Sequence, residues 1–271
     1  MLESPIAVGL WLDDLRLGLR QAIDWARGVG AQAAGLDAFG AEVAPRALSS
    51  TGRRELTLRF RSAGLNLAAL RADAGGRRLA DAATLDANLT RLREALELAR
   101  ALGAARVVIP LGFVPPASDA AGAGAREALA EAVGALGAIT NTLGVRPAAA
   151  AGAEAPGELA EFLNSRDPAG LFEVDLNPGA LLSRGHDPLA ALGCLASRVG
   201  LASAADFFRG GGEAPFGKGD VPWGELLVGL STLPRHQALP VLAACQRECD
   251  RPAALRSAVA RLIELRARPL G

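Results

Sequence analysis

The chain has 271 residues, and 50% of them are hydrophobic, which is enough to build one large domain around a core. Lysine and arginine together number 29, as do aspartate and glutamate, so no net field attracts nucleic acid or an anionic membrane. The amino terminus lacks the basic segment of a signal peptide, and no uncharged apolar run reaches the roughly 18 residues of a membrane helix. We therefore expect a cytoplasmic protein with neither a nucleic-acid nor a membrane partner.

Short apolar segments alternate with helical patterns along the whole chain, which predicts a repeated βα unit. The predicted strands are 6–9, 33–37, 66–70, 106–110, 145–150, 171–177, 199–203 and 238–242. Eight such units match the typical size of about 250 residues for a (β/α)8 TIM barrel. We predict one such barrel domain over residues 1–271.

The helices between the strands show single apolar stripes with recognisable ends. Leucines from Leu85 to Leu96 recur at helical spacing, and Gly103 follows as the predicted stop. A second helix is predicted to end at Gly144. A doubly wound open sheet is the competing α/β fold, but the first strand is followed by GLWLDDL rather than by a glycine-rich dinucleotide turn.

In a barrel of this kind, the reactive groups lie at the carboxyl ends of the strands and in the loops that follow. The polar and aromatic residues predicted there include Trp11, Asp13, Asp14, Asp37, Phe39, Arg71, Asp73, Asp175, Asn177, His186, Asp206 and Lys218. Asp13 and Asp14 are also typical of the first turn of a helix, where a negative charge suits the helix dipole.

Two phrases carry a family resemblance, 175-DLNPGALLSRGHDP-188 and 215-PFGKGDVPWGELLVGL-230. They resemble the sugar-phosphate isomerase/epimerase family, which has a xylose-isomerase-like TIM barrel. The resemblance extends over nearly the whole chain, including the head from Gly9 to Gly40. It implies isomerase or epimerase chemistry on a sugar or sugar phosphate. It also implies one divalent metal (Mn, Mg, Co or Zn) held by Glu, Asp, His and Glu from strands five to eight.

The four ligand positions that the resemblance implies fall at Ala150, Asn177, Ser203 and Leu242, and none retains its ligand. A shift of register does not restore them. Residues 145–153 contain no acid, residues 198–205 contain no histidine, and residues 238–246 contain no acid. The run from Ala148 to Ala151 covers the position of the first glutamate. We therefore predict no metal ligands and no bound cofactor.

With those ligands missing, Asp175, His186 and Asp206 remain as the candidate catalytic residues. Asp175 in the barrel, however, is also explained as a buried structural carboxylate, and His186 as an ordinary loop histidine. The candidate substrate-binding residues are Trp11, Asp37, Phe39, Arg71, Asn177 and Lys218. Closure of the barrel top, a turn before Pro178 and a solvated loop are the structural alternatives for these residues.

Three cysteines, Cys194, Cys245 and Cys249, form no disulfide framework, which is typical of a reducing compartment. Cys245 and Cys249 lie four residues apart, so a redox or metal pair stays open, although free cysteine more often packs as a small hydrophobic residue. The chain has only two histidines, which argues against the apurinic-endonuclease branch with its several histidine ligands.

Three functional hypotheses follow from these observations. The favoured one is a degenerate barrel, a pseudoenzyme or an altered-function protein that binds a small polar metabolite such as a sugar or sugar phosphate, or serves as a scaffold. The alternative is an active sugar isomerase or epimerase that uses unconventional residues. The third is a pure interaction protein that acts through its outer helices. The sequence leaves the oligomeric state open, a homo-oligomer included.

Overall fold

A computed structural model describes residues 4–72, 79, 83–152, 154–247 and 249–267. Its strands are β1 (Ile6–Trp11), β2 (Ala33–Asp37), β3 (Asn66–Arg71), β4 (Arg106–Ile109), β5 (Arg146–Ala150), β6 (Glu173–Leu176), β7 (Val199–Ala204), β8 (Asp206–Phe207), β9 (Glu213–Ala214) and β10 (Leu239–Ala243). Eight of them pair in parallel and close into a barrel in the order β1-β10-β7-β6-β5-β4-β3-β2. The predicted (β/α)8 fold is confirmed, and each predicted strand overlaps one barrel strand.

Helices follow the strands and cover the outside of the barrel. They are α1 (Leu19–Gly28), α2 (Ser50–Ser62), α3 (Leu85–Leu102), α4 (Ala123–Leu143), α5 (Pro156–Arg166), α6 (Pro178–Ser183), α7 (Pro188–Leu195), α8 (Trp223–Ser231) and α9 (Arg251–Arg266). As predicted, α3 and α4 end at Gly103 and Gly144, whose φ angles of 78° and 69° favour glycine. Among the described residues, no helix is long and apolar enough to cross a membrane.

The first βα connection differs from the expectation for Asp13 and Asp14. These residues lie in a short 3-10 helix, Leu12–Leu15, and α1 begins only at Leu19. Asp14 is buried, whereas an aspartate at the start of an ordinary surface helix would be solvated. This turn therefore directs a carboxylate into the protein instead of capping α1.

The inside of the barrel is filled mainly by small side chains around one large ring. The interior cluster consists of Trp11, Ala33, Ala68, Ala69, Val108, Ala148, Leu201 and Leu242. The Trp11 ring lies flat against Gly35, where even a Cβ atom would overlap it. Large branched residues usually fill such interiors. In this barrel many of the interior side chains are alanines, and the Trp11 indole fills the space that they leave.

This packing explains the alanine run of β5. Ala148 and Ala150 belong to the interior cluster or pack against it, while Ala149 and Ala151 join the larger core between barrel and helices. The alternation follows from the two-residue period of a strand. The methyl groups of β5 therefore face both sides, and Ala150, which is in register with Asp175, lies at the carboxyl end of the barrel.

Candidate functional site

The carboxyl ends of the barrel strands form a mouth with mixed chemistry. The side chains at the top of the interior, or at the rim directly above it, are Trp11, Arg71, Ala150, Asp175, Asn177, Ser203, Leu242 and Ala244. Trp11, Asp175, Ser203 and Leu242 are buried. Arg71, Ala150, Asn177 and Ala244 are half-buried, so these four are the groups that a ligand entering the mouth would meet.

A buried chain of hydrogen bonds crosses the top of the barrel. The Trp11 indole Nε1 donates to Ser203 Oγ at 3.1 Å, and Ser203 Oγ donates to Asp175 Oδ2 at 2.7 Å. Within the described residues, the second oxygen of Asp175, Oδ1, has no hydrogen-bond partner. A buried carboxylate oxygen without a partner is costly, which makes this group sensitive to anything that brings a donor near it.

Burial raises the pKa of Asp175 from 3.8 to about 7, although the Ser203 hydrogen bonds and the charge of Arg71 both oppose the shift. Desolvation disfavours the charged form, and the charge of Arg71 is too weak an influence to compensate for it. The Asp175 carboxyl group is therefore near half-protonation at neutral pH, which is the property required of a general acid or base.

The charged rim of the mouth is built around Arg71 at the end of β3. Arg71 Nη2 donates to Asp14 Oδ1 at 2.6 Å, and the guanidinium carbon lies 5.1 Å from the centre of the Trp11 ring. The other oxygen of Asp14 accepts the Cys245 backbone N–H at 3.1 Å. Burial is the largest single effect and lowers the pKa of Arg71, but the hydrogen bond and charge of Asp14 together with the charges of Asp13 and Asp37 raise the pKa above its ordinary value. The buried Asp14 thus fixes Arg71 over the indole.

Asp37, a further candidate residue, lies at the end of the neighbouring strand β2. Asp13 Oδ2 accepts the Asp37 backbone N–H at 2.6 Å, and Asp37 Oδ1 accepts the Phe39 backbone N–H at 2.9 Å. Burial raises the pKa of Asp13. The Arg91 guanidinium carbon lies 3.6 Å from the centre of the Phe39 ring. The Arg91 guanidinium group therefore covers one face of the Phe39 ring, and a sugar cannot stack on that face.

The remaining candidate residues have local structural partners or lie at the surface. Asn177 Oδ1 accepts the Ala180 backbone N–H at 3.0 Å and caps the short helix α6. Lys218 is exposed in the loop after β9. Asp73 lies outside the described residues. Of the predicted substrate-binding residues, Trp11 and Arg71 are in direct contact, and Asp37 is joined to their turn through Asp13.

Asp206 organises the loop that precedes α8. Its Oδ2 accepts the Gly217 and Gly219 backbone N–H groups at 2.7 and 3.1 Å, and its Oδ1 accepts those of Phe207 and Val221 at 3.0 and 3.3 Å. The carboxylate is buried, and four backbone donors occupy its oxygens. These contacts give Asp206 a structural role in the loop.

The three candidate catalytic residues occupy different parts of the molecule. Asp175 lies inside the barrel, Asp206 holds the loop before α8, and His186 is half-buried in the connection between α6 and α7. No hydrogen bond or ion pair links His186 to either carboxylate in the part of the chain that the structure describes. A three-residue proton shuttle is therefore not assembled in this structure.

Two buried carboxyl groups escaped the sequence analysis. Asp14 was interpreted as a helix-start residue, and only the fold reveals its contact with Arg71. Glu154 lies one residue beyond the segment searched after β5, and it is buried. Burial raises its pKa from 4.5 to about 7, and its Oε2 has no hydrogen-bond partner among the described residues. A wider window after β5 would have found Glu154.

The four positions implied by the family resemblance do not fit a divalent metal. Ala150 and Leu242 offer hydrocarbon, the amide oxygen of Asn177 caps α6, and the Ser203 hydroxyl is bonded to Trp11 and Asp175. In the described residues, no three histidine, cysteine, aspartate or glutamate side chains come together as a metal site. Hard cations require several oxygen ligands with negative charge, which this set does not supply.

The cysteine pair lies just beyond the same rim. Cys245 is buried and Cys249 is exposed, and their sulfurs are 3.6 Å apart without a disulfide bond. Burial raises the pKa of the Cys245 thiol to about 12, and Cys249 and Glu213 act in the same direction. A thiol held in its neutral form is a poor metal ligand and a poor nucleophile.

Comparison with known proteins identifies the family. The sequence pattern of the xylose isomerase-like TIM barrel matches residues 23–259. The chain belongs to this family. No curated protein sequence matches it.

Solved structures of the xylose isomerase-like fold superpose on almost the whole chain. A xylose isomerase domain protein from Planctomyces limnophilus has a TM-score of 0.77 at 19% identity, covering 96% of this chain and 95% of its own. The IOLI protein with a bound zinc atom has a TM-score of 0.76 at 13% identity, covering 97% and 98%. D-psicose 3-epimerase from Clostridium cellulolyticum H10, solved with D-tagatose, has a TM-score of 0.77 at 13% identity, covering 96% and 99%. At these identities the likeness shows the fold alone.

Proposed function

We propose that this xylose isomerase-like barrel binds a small hydroxylated metabolite, a sugar or sugar phosphate, at its carboxyl-terminal mouth without the four-ligand metal site of its family. The observation that carries the proposal is the half-buried Arg71 over the Trp11 ring, whose indole is joined through Ser203 to the buried carboxyl group of Asp175. Arg71 offers a partly exposed cation, with 30% of its side chain accessible. Asp175 adds a buried oxygen, Oδ1, that has no hydrogen-bond partner among the residues that the structure describes.

The composition of the mouth suits a polar ligand of this size. A few oriented polar groups set in an apolar wall are typical of small-molecule sites, and the mouth is where TIM barrels bind their ligands. Ala150 and Ala244 are half-buried and carry only a methyl group each, so they are the small, apolar part of this rim. D-psicose 3-epimerase, solved with D-tagatose, shares the fold, which favours a sugar as the ligand.

We expect a sugar or sugar phosphate to bind wild-type protein and to bind Ala150→Leu at least about tenfold more weakly, because the larger side chain fills the mouth without removing a polar contact. Isothermal titration and ligand-observed NMR against a panel of aldoses, ketoses and their phosphates would measure this. Ala260→Leu, which adds the same side chain on the exposed outer face of α9, is the control. Equal affinity of wild type and Ala150→Leu would show that the ligand binds away from the mouth. If neither protein binds any ligand of the panel, the scaffold hypothesis is favoured.

We also expect purified protein to contain no stoichiometric Mn, Mg, Co or Zn, and Ala150→Glu to gain no metal affinity. One added carboxylate leaves Asn177, Ser203 and Leu242 unchanged, and a single oxygen donor does not hold a hard cation. Elemental analysis after dialysis and calorimetric titration with Mn2+ would measure both quantities. Micromolar affinity for Mn2+ in either protein would contradict the proposal.

One observation favours a second candidate, an isomerase or epimerase that works without the family's metal ligands. The pKa of Asp175, about 7, suits proton transfer at a carbon next to a carbonyl group. Deuterium uptake into a ketose or aldose incubated with the protein in D2O would separate the candidates. Uptake that disappears in Asp175→Asn would support catalysis, whereas binding without uptake would support the non-catalytic proposal.

A further inference from the structure

A second polar cluster lies at the opposite end of the barrel, where β4, β5 and β6 begin. Arg106 Nε donates to Glu173 Oε2 at 2.5 Å, and Arg146 Nε lies 3.7 Å from Glu173 Oε1. Gly200 in the neighbouring strand β7 makes room for this carboxylate, because a Cβ atom there would overlap it. Glu173 is thus held in the floor of the barrel between two arginines.

Arg235 adds a third guanidinium to this floor from the loop between α8 and β10. Its Nε is buried and has no hydrogen-bond partner in the part of the chain that the structure describes. Burial lowers the pKa of Arg235; Glu173 opposes this, and Arg106 and Arg146 lower the pKa further. Burial and the neighbouring charges of Arg106 and Arg146 therefore both disfavour the charged form of Arg235.

The charges around the floor do not balance. Arg106, Arg146 and Arg235 act on the single carboxylate of Glu173. Arg198, which also borders this region, is matched by Asp167, with Nη1 and Oδ2 2.8 Å apart. Within the residues that the structure describes, these three guanidinium groups therefore share one carboxylate, which leaves an excess of two positive charges in this cluster.

A cavity of about 220 Å3 opens beside this cluster, and it is lined in part by Arg146, Arg235, Glu173, Asn164 and Ser197. It has ample room for a tetrahedral oxyanion. Arg198 also lines the cavity, but its guanidinium group is paired with Asp167. The lining therefore offers the guanidinium groups of Arg146 and Arg235, one amide, one hydroxyl and the shared carboxylate of Glu173. Arginine forks of this kind match the oxygens of phosphate.

We propose that this floor cavity binds a phosphate-type oxyanion, with Arg235 and Arg146 as its main ligands. A dianion there offsets the two excess positive charges and supplies the buried Arg235 Nε with an acceptor. The source is either free phosphate or the phosphate group of a larger molecule whose remainder stays outside the cavity. This site is at the other end of the barrel from the mouth, so it does not depend on the proposed function.

The test is a titration of the full chain with inorganic phosphate against chloride at matched ionic strength, followed by calorimetry and by the melting temperature. We expect saturable phosphate binding to wild type and binding to Arg235→Gln weaker by about tenfold or more. Arg20→Gln removes the same charge from the exposed face of α1 and should bind as wild type does. Arg146→Gln is the second variant at the cavity, and the melting temperature in chloride verifies that each protein is folded.

The source of the anion follows from parallel titrations with sulfate and with a sugar phosphate. Tighter binding of the sugar phosphate than of inorganic phosphate, lost in Arg235→Gln but kept in Ala150→Leu, would assign the site to the phosphate group of a larger molecule. Tighter binding of inorganic phosphate would assign it to the free ion. Phosphate binding no stronger than that of chloride or acetate would overturn the proposal. Equal loss of affinity in Arg20→Gln and Arg235→Gln would also overturn it, because net charge alone would then explain the effect.

Discussion

Asp175→Asn should be more stable than the wild-type protein near neutral pH, by as much as about 4 kcal/mol in the free energy of unfolding at about pH 8. Burial raises the pKa of Asp175 from 3.8 to about 7, so the native state binds more protons than the unfolded state between those values. Wild-type stability therefore falls as the pH rises through this window. The asparagine variant carries no charge to bury and does not suffer this loss.

Urea unfolding of both proteins at about pH 4 and about pH 8 measures the difference. The two should be similar in acid, where both side chains are uncharged in the folded protein, and should diverge as the pH rises. Asp24→Asn, an exposed aspartate on α1, removes the same charge and is the control. If Asp175→Asn proves less stable than wild type at about pH 8, then a partner of the charged carboxylate exists that this structure does not contain.

The second large effect is expected at Asp206. Asp206→Ala should lower the free energy of unfolding by about 3 kcal/mol or more, because four backbone N–H groups lose a charged acceptor. The segment 215–221 contains three of these donors and should become accessible to proteases. Denaturant unfolding and limited proteolysis with mass mapping would measure the two effects.

Asp220→Ala is the matched control for Asp206→Ala. Asp220 is an exposed aspartate of the same loop, and it accepts one backbone N–H, from Arg209 at 2.9 Å. Its loss should cost less than about 1 kcal/mol. Equal stability of the two variants would show that Asp206 does not organise the loop, and its possible role in catalysis would have to be reconsidered.

The fold could be predicted because local patterns carry it. Apolar runs of strand length and helical stripes with glycine ends recur along the chain, and all eight barrel strands overlap their predicted positions. The small antiparallel pair of β8 and β9 was not predicted, because each strand has only two residues and no period to detect. Asp206 opens β8, so its contacts were also hidden from the sequence.

The candidate site could be predicted only in part, because its contacts join residues that are far apart along the chain. Trp11 and Ser203 are 192 positions apart, and Cys245 and Asp14 are 231 apart. Strand ends indicated which side chains face the mouth, and Trp11, Arg71 and Asp175 do come together there. The unusual pKa values of Asp175 and Glu154 could not be predicted, because burial causes them and the sequence does not reveal which acidic residues are buried.

The Ser203 hydroxyl, which joins the Trp11 indole to the Asp175 carboxyl group, has an evolutionary consequence. A histidine at this position would break both hydrogen bonds and would have to displace the indole. A glutamate in place of Leu242 would carry an unpaired charge into hydrocarbon. Each single step towards the ligand set that the resemblance implies should therefore lose stability before a metal could bind and restore it, so we expect natural selection acting one substitution at a time to reach that set rarely.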